Sequence, residues 1–379
     1  MKCRSSSKRF VIACTLIVVV GLVRSRFIHS NNDQSHKYMQ RRSHASYVYN
    51  NSYGAVVESS ANQVPGAVTE KIILFPQKDS CSREQCFERN GVLIRYPNAK
   101  ATILICHGFM TDKFDVAFLR LLFEQGKYNI MTFDFRAHGE NVDAQKCTLG
   151  RDEAYDVIAA ARFLKENPAI KNTPLLVYGF SMGAVAAIEA QAKDPLFQAM
   201  ILDCPFDSSE RVLRHNLGNI KMSLMGYEFT MPGSALLERY VLHPYVQSMV
   251  KVILKTVAHL KFKDIPLQVP QFQPAQSVQN ISVPCFFIHC KNDDTVPLDA
   301  IKQVYNGAQG YKKLWLTNGR RHYDSCFYNP EAYVTRVRGF ISEVVTGSLD
   351  ASAQGIVEDE ADLFALDENA LVKAKMQHD

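Results

Sequence analysis

A serine between two glycines, Gly179-Phe180-Ser181-Met182-Gly183, lies between the apolar run Leu175-Leu176-Val177 and the helix-forming residues Ala184-Val185-Ala186-Ala187-Ile188-Glu189-Ala190. Strand, tight turn and helix in that order present a hydroxyl at the edge of a sheet. The serine takes strained backbone angles there, and the glycines remove side chains that would clash. The following helix aims its N-terminal dipole at charge developing on a reacting group. A serine held this way is a nucleophile for acyl transfer, and at neutral pH it needs a base. Eleven histidines compete for that role. The expected chain order is serine, acid, histidine, which leaves His322 and His378 downstream. His322 follows Leu314-Trp315-Leu316 and the loop Thr317-Asn318-Gly319, a placement that delivers an imidazole over the strand ends, whereas His378 sits in the tail.

Three aspartates follow apolar strands and are candidates for the acid: Asp293, Asp294 and Asp203. Asp293 leads on placement, because it precedes Val296-Pro297 and comes 29 positions before His322, so the two can occupy neighbouring loops. Asp203-Cys204-Pro205-Phe206 reads better as the entry to an insertion. A tetrahedral intermediate needs two donors. One is expected from the N–H of Met182, the residue after the serine. The second is expected from Phe109, because Ile105-Cys106-His107-Gly108-Phe109 ends an early strand with the small residue such a loop requires. His107 is expected to prop that turn.

These residues need a sheet to hold them. From Ala101 onward, apolar runs without alternation (Ala101 to Cys106, Ile130 to Phe135, Pro174 to Phe180, Ala199 to Leu202, Val283 to His289, Lys313 to Leu316) are separated by helical patterns. That is the signature of a parallel sheet covered on both faces. A meander is expected to open the domain, with a strand over Lys71 to Phe75 and a hairpin turn at Asn90-Gly91. Between Asp207 and Gln273 the strand rhythm stops. Val246, Met249, Val250, Ile253, Leu254, Val257 and Leu260 recur there at helical spacing, which predicts an inserted helical lid.

The composition, 47% hydrophobic and 21% charged in 379 residues, is that of a folded protein. The formal charge of +5 is scattered, with no basic stripe interleaved with aromatics, so nucleic acid is not an expected partner. No C-x-x-C or H-E-x-x-H occurs among the ten cysteines and eleven histidines, so neither metal nor cofactor is expected. Cys106, Cys204, Cys285 and Cys290 lie in or beside strand-like runs and are expected in the core. The spacing of Cys81 and Cys86 leaves a disulfide open.

Lys2, Arg4, Lys8 and Arg9 precede an apolar run from Phe10 to Val23, the order of a targeting segment. Its length suits a cleaved signal peptide. The absence of an A-x-A site and the Arg24, Arg26 and Phe27 flank favour a retained signal anchor. The expected organisation is residues 1–30 as anchor or signal peptide, 31–68 as linker, 69–346 as the domain with its lid at about 207–273, and 347–379 as an acidic tail. The charge asymmetry implies a single-pass membrane protein with the domain outside the cytoplasm, or a secreted one after cleavage.

Together, Cys106-His107-Gly108-Phe109, Asp134-Phe135-Arg136-Ala137-His138-Gly139, Gly179 to Gly183, Asp203-Cys204-Pro205-Phe206, Asp293 to Pro297 and Gly319 to His322 resemble the α/β-hydrolase superfamily. Within it they are similar to membrane-associated serine hydrolases related to the serine aminopeptidase-like group. The resemblance spans roughly Ile72 to Val345. It implies the α/β-hydrolase fold, a Ser181-His322-Asp293 triad, and oxyanion donors at Phe109 and Met182. The sequence departs from the pattern at Ala137, where glycine is usual, at Cys290 ahead of the acid, and at Arg320 and Arg321 beside His322.

Three activities are compatible with this pattern: an ester or thioester hydrolase acting on a small acyl or lipid-like substrate, a peptidase of the aminopeptidase-like type, and a binding protein that kept the fold. Met222, Met225, Tyr227, Phe229 and Met231 are candidates to line an acyl pocket or to pack on the core. Between Arg211 and Gln273 the acids are Glu228, Glu238 and Asp264, few for a dedicated ammonium pocket. The first activity is therefore expected.

Overall fold

The computed structural model describes residues 66–359 apart from 75–87, 117–118, 121–122, 124–125, 140–144, 219–220, 225–226, 231–233, 244, 247–266 and 320. Among these described residues, nine strands form one sheet: β1 (Val68–Leu74), β2 (Arg89–Arg95), β3 (Ala101–Cys106), β4 (Tyr128–Phe133), β5 (Leu175–Phe180), β6 (Ala199–Asp203), β9 (Cys285–Cys290), β10 (Lys312–Thr317) and β11 (Gly355–Glu358). Their order is β1-β2-β4-β3-β5-β6-β9-β10-β11. Only the β1–β2 and β2–β4 pairings are antiparallel.

Strands β3, β4, β5 and β9 are buried at every position, which is why they read as mainly apolar runs without alternation. Alternate residues go to opposite faces. Leu104, Val177, Leu202 and Phe287 pack with residues of α1 (Glu153–Glu166), α2 (Met182–Lys193) and α5 (Leu298–Gly307). Ile103, Ile105, Tyr178, Ile201, Ile288 and Trp315 pack on the other side with Tyr333, Val337, Phe340 and Ile341 of α6 (Pro330–Thr346).

Asn90-Gly91 is not a turn. Both residues lie inside β2, where Gly91 pairs with Ile72 and Phe133. A Cβ on Gly91 would come within 3.1 Å of the Thr132 carbonyl oxygen, so the glycine serves a close approach of backbones rather than a reversal.

The insertion after β6 is not purely helical among its described residues. It carries α3 (Ser209–Gly218), a hairpin of β7 (Lys221–Leu224) and β8 (Tyr227–Thr230), and α4 (Ser234–Arg239). The periodic stretch after Val246 lies outside the described residues. The chain rejoins the domain at Leu267, which bridges to Cys147. α3 is tied to the loop after β9: Asn216 Nδ2 donates to the Thr295 carbonyl at 3.0 Å, and His215 Nε2 hydrogen-bonds the Asp294 carbonyl at 3.1 Å.

Part of the segment expected as an acidic tail belongs to the sheet. Residues 355–358 form β11, parallel to β10, and Trp315 Nε1 donates to Asp359 Oδ1 at 2.7 Å. Pairing with the open edge of β10 overrides the acidic composition. No helix among the described residues is long and apolar enough to cross a membrane. The apolar N-terminal run, Cys81 and Cys86, and residues 360–379 lie outside the described residues.

Candidate active site

Ser181 joins β5 to α2 with φ +49° and ψ −113°, a conformation that strains any residue bearing a Cβ. Its N–H donates to the Asp203 carbonyl at 2.8 Å, and its own carbonyl accepts from Val185 N at 3.1 Å. The flanking glycines are required by the turn. A Cβ on Gly179 would lie 2.5 Å from Ala184 Cα, and one on Gly183 would lie 2.3 Å from the Cys106 carbonyl oxygen. The turn therefore packs against the end of β3, beside the His107–Met110 loop.

His322 reaches Ser181 from the loop after β10. Its Nε2 lies 2.9 Å from Ser181 Oγ and its Nδ1 lies 2.7 Å from Asp293 Oδ2. Tyr323 next to it takes φ +73° and packs against Phe180, with ring centroids 3.7 Å apart and the planes tilted by 38°. Asp293 stands in the turn after β9. Its Oδ1 accepts from the N–H groups of Thr295 and Val296, both at 2.8 Å, which leaves Oδ2 for the histidine. Burial lowers the pKa of His322, but the charge and hydrogen bond of Asp293 outweigh it, and the imidazole titrates above 6.5. Burial raises the pKa of Asp293. The charge and hydrogen bond of His322, with help from His289 and the Val296 N–H, reverse that and hold it below the ordinary carboxylate value. This relay can move a proton from a hydroxyl to an imidazole whose cationic form a buried carboxylate stabilises.

The other two aspartates are placed differently. Asp294 is exposed, and its carboxylate accepts a 3.3 Å bond from the Thr295 hydroxyl. Asp203, at the end of β6, is buried and held from elsewhere: Oδ2 accepts from Tyr333 Oη at 2.7 Å and Tyr178 Oη at 3.1 Å, and Oδ1 from Cys204 Sγ at 3.1 Å. Burial raises its pKa, opposed only in part by these donors. The two tyrosine oxygens also lie in hydrogen-bonding contact with each other, so their two protons are shared among three contacts. Sequence reasoning missed this trio, because Tyr333 arrives from a helix 130 positions away.

The loop carrying Phe109 is fixed by two buried histidines. His107 Nδ1 donates to the Gly108 carbonyl at 2.7 Å, so its Nε2 is the acceptor for Phe135 N–H at 3.0 Å. His138 repeats the arrangement, donating from Nδ1 to the Arg136 carbonyl at 2.8 Å and accepting Met110 N–H on Nε2 at 3.2 Å. Burial lowers both pKa values, which keeps the rings neutral and able to accept. Lys113 and Asp134 form a buried ion pair at 2.6 Å beneath the loop. Ala137 takes φ +61°, the conformation a glycine would adopt without strain, and so meets the backbone requirement of the glycine it replaces. Cys290 is accommodated because Gly319 faces it: a Cβ there would lie 2.6 Å from the thiol sulfur. Cys106, Cys204, Cys285 and Cys290 are all buried and free. Among the described residues, Cys204, Asp293 and His322 form the group of donor atoms compact enough to surround a metal ion.

The comparisons bear on the family and the fold. The model of the Alpha/beta hydrolase family matches residues 103–336, more than half of the 379-residue chain. Two of the relatives are YqkD of Bacillus subtilis, 25% identical over 64% of this chain and 72% of that protein, and a 31.7 kDa protein from the traX-finO intergenic region of Escherichia coli, 20% identical over 59% and 83%. Both are uncharacterized. Among solved structures the fold is similar to that of the Pyrococcus furiosus esterase Pf2001, with 20% identity, a TM-score of 0.53 and coverage of 73% of this chain and 93% of that one. It is also similar to a 2,6-dihydroxy-pseudo-oxynicotine hydrolase, with 16% identity, a TM-score of 0.52 and coverage of 79% and 74%. With a mostly parallel sheet, a strained serine at the end of β5 and a family match that takes in that serine and most of the parallel strands, the chain belongs to the alpha/beta hydrolase family.

Proposed function

We propose that the protein is a serine hydrolase that cleaves esters or thioesters through an acyl-enzyme. The observation that carries this reading is the unbroken chain of hydrogen bonds from Ser181 Oγ through His322 to Asp293, at 2.9 and 2.7 Å. Ser181 Oγ attacks the substrate carbonyl carbon as its proton passes to His322 Nε2. Asp293 holds the ring with Nδ1–H directed at its carboxylate. The N–H groups of Met182, the first residue of α2, and of Phe109 stabilise the oxyanion. The carbon–oxygen or carbon–sulfur bond then breaks as His322 returns the proton to the leaving group. Water attacks the acyl-serine with the same histidine as base.

The substrate class rests on the insertion. Few carboxylates stand between Arg211 and Gln273 to hold a free α-amino group, while the segment is rich in apolar residues, each buried methylene being worth about 0.8 kcal/mol. An acyl or lipid-like ester fits this better than a peptide, and the N-terminal apolar run would tether the enzyme beside a membrane, outside the cytoplasm. The esterase and hydrolase among the solved structures support the reaction class by analogy only.

The test is a panel of p-nitrophenyl esters of increasing acyl length run beside aminoacyl-anilides, with fluorophosphonate labelling of the wild type and Ser181→Ala. The expected result is kcat/KM rising from acetate to at least hexanoate, slow anilide turnover, and labelling of the wild type alone. Faster anilide cleavage would replace the esterase by the peptidase. Equal labelling of the alanine variant would remove Ser181 from the reaction.

A further inference from the structure

Cys204 stands immediately after Asp203, where the chain leaves β6, and takes φ +53°, a backbone state that disfavours any residue with a Cβ. Glycine would hold this corner without strain, yet the position carries a thiol. The sulfur is buried, and with a ring nitrogen of His322 and a carboxylate oxygen of Asp293 it forms a set of three donors all within 4.8 Å of one another. Thiolate, imidazole and carboxylate are the donors of a zinc site with one position left for water. Bonds of about 2.0–2.3 Å place such donors roughly 3.3–3.6 Å apart. His322 Nδ1 and Asp293 Oδ2 are already closer than that, at 2.7 Å, so side-chain shifts of about 1 Å would complete the set. The His322 side chain is 18% exposed, which gives an ion a route along the face the substrate uses. No zinc motif announces these donors, because they come from three separate loops at positions 204, 293 and 322.

We propose that a thiophilic divalent cation, Zn²⁺ in the first instance, binds between Cys204, Asp293 and His322 and reversibly switches the site off. Binding is a substitution without redox change: the metal–sulfur bond forms and the Cys204 thiol releases its proton to solvent. Coordination through either ring nitrogen disables the base. On Nε2 the metal occupies the lone pair that would take the serine proton. On Nδ1 it leaves the ring proton on Nε2, so the nitrogen facing Ser181 can only donate. The inhibitory consequence rests on the triad proposed above, whereas the binding itself rests on the three donors.

The test uses the full chain in metal-free buffer, titrated with Co²⁺ or Cd²⁺ and followed by the thiolate-to-metal charge-transfer band, with ester hydrolysis assayed separately against Zn²⁺. The expected result is a band saturating at one equivalent in the wild type and lost in Cys204→Ser. In that variant the half-inhibitory Zn²⁺ concentration should rise at least tenfold while the metal-free rate is unchanged. Cys204→Gly, which suits the positive φ, should behave the same and covers the case in which the serine variant does not fold. A band and inhibition that persist in both variants, or no band in the wild type, would overturn the site. The band does not depend on turnover, so it would stand even if Ser181→Ala showed that the triad reading is wrong.

Discussion

The backbone N–H of Ser181 donates to the carbonyl of Asp203 at 2.8 Å, so the strained serine is anchored to a strand that ends in an aspartate which does not face the histidine's Nδ1. Position along the chain makes Asp203 and Asp293 rivals for the acid. Their donors separate them: Asp203 is taken up by two tyrosine hydroxyls and a thiol, Asp293 by two backbone N–H groups and His322.

Asp293→Asn should therefore lower kcat by roughly 10⁴-fold with little change in folding, since the amide favours the wrong imidazole tautomer. Asp203→Asn keeps an oxygen for the tyrosines and should leave kcat within about tenfold. Steady-state kinetics on both variants, with thermal melts as the folding control, make the comparison. A larger loss in Asp203→Asn would redraw the triad.

Ser181 at φ +49° stores strain that the fold does not need. Such positions cost on the order of 1–3 kcal/mol, while glycine adds about 0.5–1 kcal/mol of chain entropy to the unfolded state. Ser181→Gly should lose hydrolysis and yet be more stable than the wild type by about 1 kcal/mol, a Tm rise of roughly 2–4 °C for a domain of this size. Ser181→Ala keeps the Cβ, and its Tm should stay near that of the wild type. Calorimetry on the three proteins checks this, and a Ser181→Gly variant that melts below the alanine variant would remove the strain argument.

The base must be neutral to accept the serine proton, so activity rises as pH passes upward through the pKa of His322. Asp293 lifts that pKa above 6.5, and the acidic limb of kcat/KM should have its midpoint above 6.5 in the wild type. In Asp293→Asn the largest raising influence is gone and burial is opposed only by the charges of Asp203 and Cys290, so the limb of the residual activity should move to lower pH than in the wild type. A profile that is unchanged between the two proteins would mean that another group sets it.

Much of this was legible in the sequence, for identifiable reasons. The elbow at Ser181 is local: strand, glycines and helix lie within sixteen residues of chain, Leu175 to Ala190, and their order dictates the turn. The parallel strands were legible because burial on both faces keeps them mainly apolar, with no regular polar alternation along the run. Asn90-Gly91 misled because glycine serves a reversal and a close backbone approach equally well, and only the partner strand distinguishes them. The insertion's hairpin, Lys221–Leu224 with Tyr227–Thr230, was hidden by strands of four residues that carry too little periodicity to register. Asp203 could not be separated from Asp293 by spacing, because the deciding hydroxyl of Tyr333 is on a helix far along the chain.

The last strand gives a prediction that the acidic composition of the tail would not suggest. β11 covers the edge of β10, whose end leads into the loop bearing His322, and Asp359 just beyond it accepts the indole N–H of Trp315 at 2.7 Å. Trp315 is fully buried, stands under the guanidinium of Arg336 at 4.9 Å, and is the only tryptophan of the chain, so its fluorescence reports on this corner alone. Asp359→Ala leaves a buried donor without its acceptor, at a cost of about 1–3 kcal/mol. Ending the chain after Ser348 removes that acceptor and the whole β10–β11 ladder, and it exposes an unpaired edge prone to association. The truncated protein should melt lower than Asp359→Ala, with red-shifted tryptophan emission and a tendency to aggregate on concentration. A truncation that melts with the wild type and keeps its emission maximum would show that β11 adds nothing to the sheet.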